Sequence, residues 1–207
     1  ASLYAGQPDT NLSNSRPRLS RDPQDADRIL LVQCGGGIME SLDDGMTWHA
    51  GSTSGGSCTR ELSWAPDDPT TVYAAADGAI LVSHDRGSTF SPYYTPPGYW
   101  PVDVAALPGG QIASVGYTGG ARRVDAAKND TDVGACYVTH FLTATPAGDI
   151  WAGSQTCVYG IAATSSSAQS VLSNTYLGVG GIVVNGNDVW VGYMGGGLFH
   201  STDHGLT

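Results

Sequence analysis

Apolar residues along this chain come in short runs rather than in helical stripes. "DRILLVQ" (27–33), "TVYAAAD" (71–77), "QIASVGY" (111–117), "DIWAGSQ" (149–155) and "DVWVGYM" (188–194) each follow a turn-like stretch rich in Gly, Pro, Asn or Asp. Runs of β-branched and aromatic residues punctuated in this way predict strands. Their comparable positions, Leu30, Tyr73, Ala113, Trp151 and Trp190, are 43, 40, 38 and 39 residues apart. Alternation inside the runs is imperfect, as expected of strands buried on both faces. Each unit reads as four strands, which in the second are "CTRELSWAP", "TVYAAAD", "AILVSHD" and "STFSPYY". Five such units predict an all-β fold, a β-propeller of about five four-stranded blades forming a single domain over 1–207. A β-sandwich would explain the strand richness but not the five-fold repeat.

Composition narrows the function. The 207 residues carry a net charge of -10 and a single lysine, Lys128. That balance excludes a nucleic-acid binder, which needs a basic patch, and an anionic membrane surface for the same reason. No apolar run approaches a membrane span, so membrane insertion is not expected. Lysine poverty, abundant Ser, Thr and Gly, and four cysteines suit a secreted, extracellular protein.

One polar pattern recurs in register with the repeat. "SLDDGMTW" (41–48), "SHDRGSTF" (83–90) and "STDHGLT" (201–207) each place Ser, Asp, Gly and Thr at successive two-residue steps. These stretches resemble the Asp-box, or BNR repeat, of the sialidase-like β-propeller superfamily, found also in xyloglucan-active hydrolases, sortilin-type receptors, photosystem assembly factors and lectins. The resemblance implies that the box lies between the third and fourth strands of a blade, on the face away from the active site. Asp43, Asp85 and Asp203 are therefore expected to be structural, accepting hydrogen bonds from turn amides where Gly permits positive φ. Units three and four lack the box.

A sialidase would need three arginines around a carboxylate, a Tyr–Glu pair and an acid Asp. The chain has two glutamates: Glu40 beside the first box, and Glu61, which follows Arg60. The Arg-Ile-Pro segment of sialidases is absent. Asp77 and Asp103 stand where top-face loops begin and are read as turn caps and solvated residues. The five His show no metal-ligand spacing, and "NDTDVG" (129–134) lacks the glutamate of a calcium loop. No catalytic residue, metal or cofactor is expected. The reading is a non-catalytic, lectin-like recognition propeller for a glycan or glycoconjugate; the alternative is a divergent or partial glycoside hydrolase.

With the box on the bottom, the top face carries the loops between second and third strands and those between blades. All four cysteines fall there. Of their three pairings, the blade assignment favours Cys34 with Cys58 and Cys136 with Cys157. Exposed aromatics suit stacking on sugar rings, so Trp100, Tyr117 and Tyr193 are the candidate stacking residues, the last two flanked by glycines. Arg60 and Arg122 are the candidate hydrogen-bond donors. Shallow sites of this kind would need several copies or a homo-oligomer for avidity. The opening "ASLYAG" (1–6) is expected to complete the fifth blade; its likeness to "TVYAA" leaves a longer propeller as the rival.

Overall fold

The structure is a computed structural model that describes residues 18–51, 58–98, 100–117, 120–134, 139–154, 157–173, 178–193 and 197–205. It is an all-β, five-bladed β-propeller of antiparallel sheets. The first blade holds β1 (Arg18–Asp22), β2 (Asp25–Gln33), β3 (Gly37–Ser41) and β4 (His49–Ala50). The second holds β5 (Thr59–Trp64), β6 (Val72–Ala76), β7 (Ala79–Ser83) and β8 (Ser91–Tyr94). The third holds β9 (Pro101–Leu107), β10 (Gln111–Gly116), β11 (Arg122–Val124) and β12 (Asp130–Asp132). The fourth holds β13 (Thr139–Ala144), β14 (Ile150–Ser154), β15 (Cys157–Ile161) and β16 (Gln169–Ser173). The fifth has three described strands, β17 (Val179–Asn185), β18 (Asp188–Tyr193) and β19 (Gly197–Ser201). Residues 1–6, the strand expected to complete this blade, lie outside the described residues.

The core is the set of seams between blades. In β6, Val72, Ala74 and Ala76 pack with Leu30 and Val32 of the first blade. Tyr73 and Ala75, on the opposite face, pack with Val104 and Ile112 of the third. β6 is thus apolar at every position because both its faces are buried, which explains the broken alternation of the sequence. Ala113 and Val115 meet Ile150 and Ala152 in the next seam. Trp151 and Val158 meet Val179, Val191 and Tyr193 in the last. Among the described residues there are four seams, and the face of the fifth sheet that carries Val183 (63% exposed) belongs to none of them.

The three Ser-x-Asp-x-Gly turns repeat one hydrogen-bond scheme. Ser41, Ser83 and Ser201 each donate from Oγ to the Asp two residues on, at 2.8, 2.6 and 2.7 Å. The same Oγ accepts from the amide of Gly45, Gly87 or Gly205 at 2.8, 2.8 and 2.9 Å. Asp43 further accepts from Thr47 N (2.7 Å) and Oγ1 (2.6 Å), and Asp85 from Thr89 N (2.8 Å) and Oγ1 (2.6 Å). The glycines take φ of 86°, 89° and 78°, which only Gly adopts without strain. Thr47's hydroxyl bond, then its amide, lowers the Asp43 pKa from 3.8 to about 2.

Candidate functional site at the propeller axis

The inner strands β1, β5, β9, β13 and β17 line the axis, and their register aligns one residue per blade. Arg18, Glu61, Asp103, Phe141 and Gly181 pair respectively with Val32, Ala75, Val115, Gly153 and Gly192, each two residues beyond the repeat marker of its second strand. All five line one cavity of about 470 Å³. In blades two to five the inner strand bulges immediately before this level, so that two of its residues oppose one on the second strand. A bulge bends the strand and re-aims its side chains. It also reverses the in–out parity, which hides the level from a period-two reading of the sequence.

Arg18 and Asp103 each reach towards the following blade. Arg18 Nε stands 3.2 Å from Glu61 Oε2. Asp103 Oδ2 accepts from the Leu142 amide at 2.9 Å, while Oδ1 is buried without a hydrogen-bond partner. Burial, and secondarily the charge of Glu61, raises the Asp103 pKa well above the usual carboxylate value. Burial also raises Glu61, but Arg18 opposes it. Of the two, Asp103 is therefore the more readily protonated. Asp103 is only 5% exposed, so it is neither a turn cap nor a solvated residue as its sequence context suggested. Aligning the repeats strand by strand, with the bulge included, is the signal that would have exposed the Glu61–Asp103 level.

Just above this level, three of the five predicted ligand residues come together. Arg60 is the bulge residue of β5. Its guanidinium pairs with Asp77 at 2.8 Å and lies 5.7 Å from the Tyr117 ring centroid. Arg60 Nε and Nη1 are buried without hydrogen-bond partners. Tyr117 N donates to Trp100 O at 3.2 Å, which closes the top of the β9–β10 hairpin. Trp100 is 57% exposed. Blade two thus supplies the cation, and blade three two aromatic rings. The Cys34–Cys58 disulfide joins the β2–β3 turn to the residue preceding β5, fixing the segment that carries Arg60 and Glu61. Cys157 is also disulfide-bonded, and Cys136, the partner expected for it, lies outside the described residues.

The other two predicted residues stand elsewhere. Arg122 is held on the β11–β12 pair by Asp130, with Nε 2.6 Å from Oδ1 and 2.8 Å from Oδ2. Tyr193 is 8% exposed, edge-on to Phe199 with 5.2 Å between ring centroids. Its flanking glycines do not expose it, because β18 runs through Tyr193 and turns the ring into the seam with the fourth blade. Among the described residues no three His, Cys, Asp or Glu are grouped as metal ligands.

No protein-family model matches the chain, and no curated protein does. Solved structures do. YCF48 from Cyanidioschyzon merolae is 16% identical with a TM-score of 0.67, over 90% of this chain and 66% of that one. YCF48 bound to D1 peptide is 17% identical with a TM-score of 0.66, over 92% and 67%. A catalytically inactive virginiamycin B lyase from Staphylococcus aureus with Quinupristin is 14% identical with a TM-score of 0.71, over 88% and 64%. The chain thus spans about two thirds of the length of the structures it resembles. At these identities the likeness is one of fold, and the fold it shares with them is the β-propeller.

Proposed function

We propose that this chain is a secreted recognition propeller of the Asp-box type that binds a neutral glycan on its top face. The observation that carries the reading is the grouping of Arg60, Tyr117 and Trp100, in which the Arg60 guanidinium lies 5.7 Å from the Tyr117 ring centroid, the Tyr117 amide donates to Trp100 O, and Trp100 is itself exposed. Aromatic faces stack on the C–H faces of sugars, and the guanidinium donates to their hydroxyls. The repeated Ser–Asp–Gly–Thr hydrogen-bond scheme supports assignment of the turns to the Asp-box class. The disulfide supports an oxidising compartment, and no described helix is long and apolar enough to cross a membrane. Arg122 enters this reading only as a support of the third blade, and Tyr193 only as packing between the fourth and fifth. One structure of like fold, YCF48 bound to D1 peptide, carries a peptide, so a peptide is the competing ligand.

A titration of wild type and Tyr117→Leu against neutral oligosaccharides and against unrelated peptides tests the reading. Saturable sugar binding that Tyr117→Leu abolishes supports it, while binding to peptides alone overturns it. A second reading, the glycoside hydrolase, rests on Glu61 and Asp103, since two carboxyl groups of unequal acidity are the kind of pair that acid–base hydrolysis uses. Release of reducing sugar, lost in Glu61→Gln, would establish that reading instead.

A further inference from the structure

We propose that the axial cavity binds a primary ammonium group on an unbranched alkyl stem, the group a lysine side chain carries, between the carboxyl groups of Glu61 and Asp103 and the ring of Phe141. The site goes beyond the sugar platform and does not depend on it, because its residues project from the level below the bulges.

Four observations converge on this ligand. Asp103 is 5% exposed and its Oδ1, on the wall of the cavity, has no partner. A buried acceptor left unpaired is costly, so a donor arriving there recovers that cost. An ammonium offers three donors and no acceptor, which matches two carboxyl groups at one level. Phe141 completes the same level, and an aromatic face attracts a cation. Two carboxyl groups, with Arg18 already beside Glu61, offer too few oxygens for calcium.

The fifth position makes the room. A Cβ on Gly181 would meet nothing within 4 Å, so the ring is open there. Leu62, Trp64 and Ile182 also line the cavity and give an alkyl stem apolar walls. The charged groups facing Asp103 are Glu61 from β5 and, beyond it, Arg18 from β1; β13 and β17 contribute Phe141, Gly180 and Gly181 to the lining. Burial and the like charge of Glu61 raise the Asp103 pKa while the cavity is empty. An incoming ammonium favours the carboxylate, so binding releases a proton to solvent wherever Asp103 starts protonated. Two carboxylates then balance one guanidinium and one ammonium.

Isothermal titration calorimetry with Nα-acetyl-lysine amide tests the proposal, beside its Nε-acetylated counterpart, glucosamine and acetate. Wild type should bind the free amine in a saturable way, with proton release seen as a dependence of the heat on buffer ionisation. The acetylated counterpart should bind at least tenfold more weakly, and glucosamine, whose amine sits on a ring, should also be weaker. Glu61→Gln should lose at least tenfold in affinity. Gly181→Leu removes no charge and should lose as much by filling the cavity, its folding verified by an unchanged circular dichroism spectrum. Equal binding of the acetylated amide, unchanged affinity in Gly181→Leu, or no binding of the amine would overturn the proposal. Tight acetate binding lost in Arg18→Gln would overturn it in favour of an anion site. Stronger binding of glucosamine than of the lysine amide would overturn the choice of stem.

Discussion

Gly87 of the second blade lies against Leu30 of the first with no space between them for a Cβ. Its φ of 89° comes from the Ser83–Asp85 hydrogen-bond scheme, so the turn that shapes Gly87 also sets the seam. Gly205 repeats the relation in the fifth blade, where a Cβ would stand 2.7 Å from Cη2 of Trp151 in the fourth. The repeated polar turn is thus a joint between blades as well as a turn within one.

Gly87→Ala should destabilise the chain by about 3 kcal/mol, combining the strain of positive φ with overpacking at the seam. Gly78 has a φ of 75° but nothing within 4 Å of its Cβ position. Gly78→Ala should therefore cost only about 1 kcal/mol, the backbone part alone. Urea denaturation of both variants checks this, and equal losses would contradict the joint.

Arg86, the residue between Asp85 and Gly87, crosses the same seam. Its Nη2 pairs with Asp22 Oδ2 at 2.7 Å, and Asp22 is 3% exposed. Arg86→Met leaves that carboxylate short of its main partner and should cost about 2–3 kcal/mol, because an unpaired buried charge costs more than the pair contributes. Asp22→Asn combined with Arg86→Met should recover part of the loss. A double-mutant cycle measures the coupling.

Asp43 ties stability to pH. Its folded pKa is lowered to about 2, chiefly by the Thr47 hydroxyl. A depressed carboxylate contributes stability that is fully present above its unfolded value near 3.8 and is lost as pH falls through about 2. Asp43→Asn should therefore be less stable than wild type at pH 6, with the gap narrowing as pH falls from about 4 to 2. Denaturation curves across that window check the sign, and a gap that widens towards low pH would contradict it.

The Cys34–Cys58 bridge closes a separation of 24 residues. Replacing both cysteines by Ser should cost about 3 kcal/mol by release of unfolded-chain entropy. Because the bridge stands two residues from Arg60, the same variant should weaken any ligand held by the platform. Loss of stability with ligand affinity unchanged would detach the bridge from the site.

Much of the fold was legible in the sequence because a propeller repeats its local rules. Leu30, Tyr73, Ala113, Trp151 and Trp190 do stand at one level of the second strands, as the spacing near 40 residues implied. The site was legible only in part. Arg60, Trp100 and Tyr117 fall together because each flanks a strand end on one face, which loop position alone can show. Glu61 and Asp103 meet through a register that the bulges conceal. Tyr193 was read as exposed from its glycines, yet a glycine beside a strand residue says nothing about which face its side chain takes. Arg122 belongs to a strand whose partner carries Asp130, a pairing that a single sequence does not mark.

The measurement that bears most directly on the recognition reading is binding of neutral oligosaccharides to wild type and to Trp100→Ala, compared at equal stability. Trp100 contributes exposed indole surface and no core packing, being 57% exposed, so its removal should leave the melting curve unchanged. Wild type should bind with an affinity near millimolar, about -4 kcal/mol, and Trp100→Ala should lose at least tenfold. Unchanged sugar affinity in Trp100→Ala, or no sugar binding by wild type, would contradict the account.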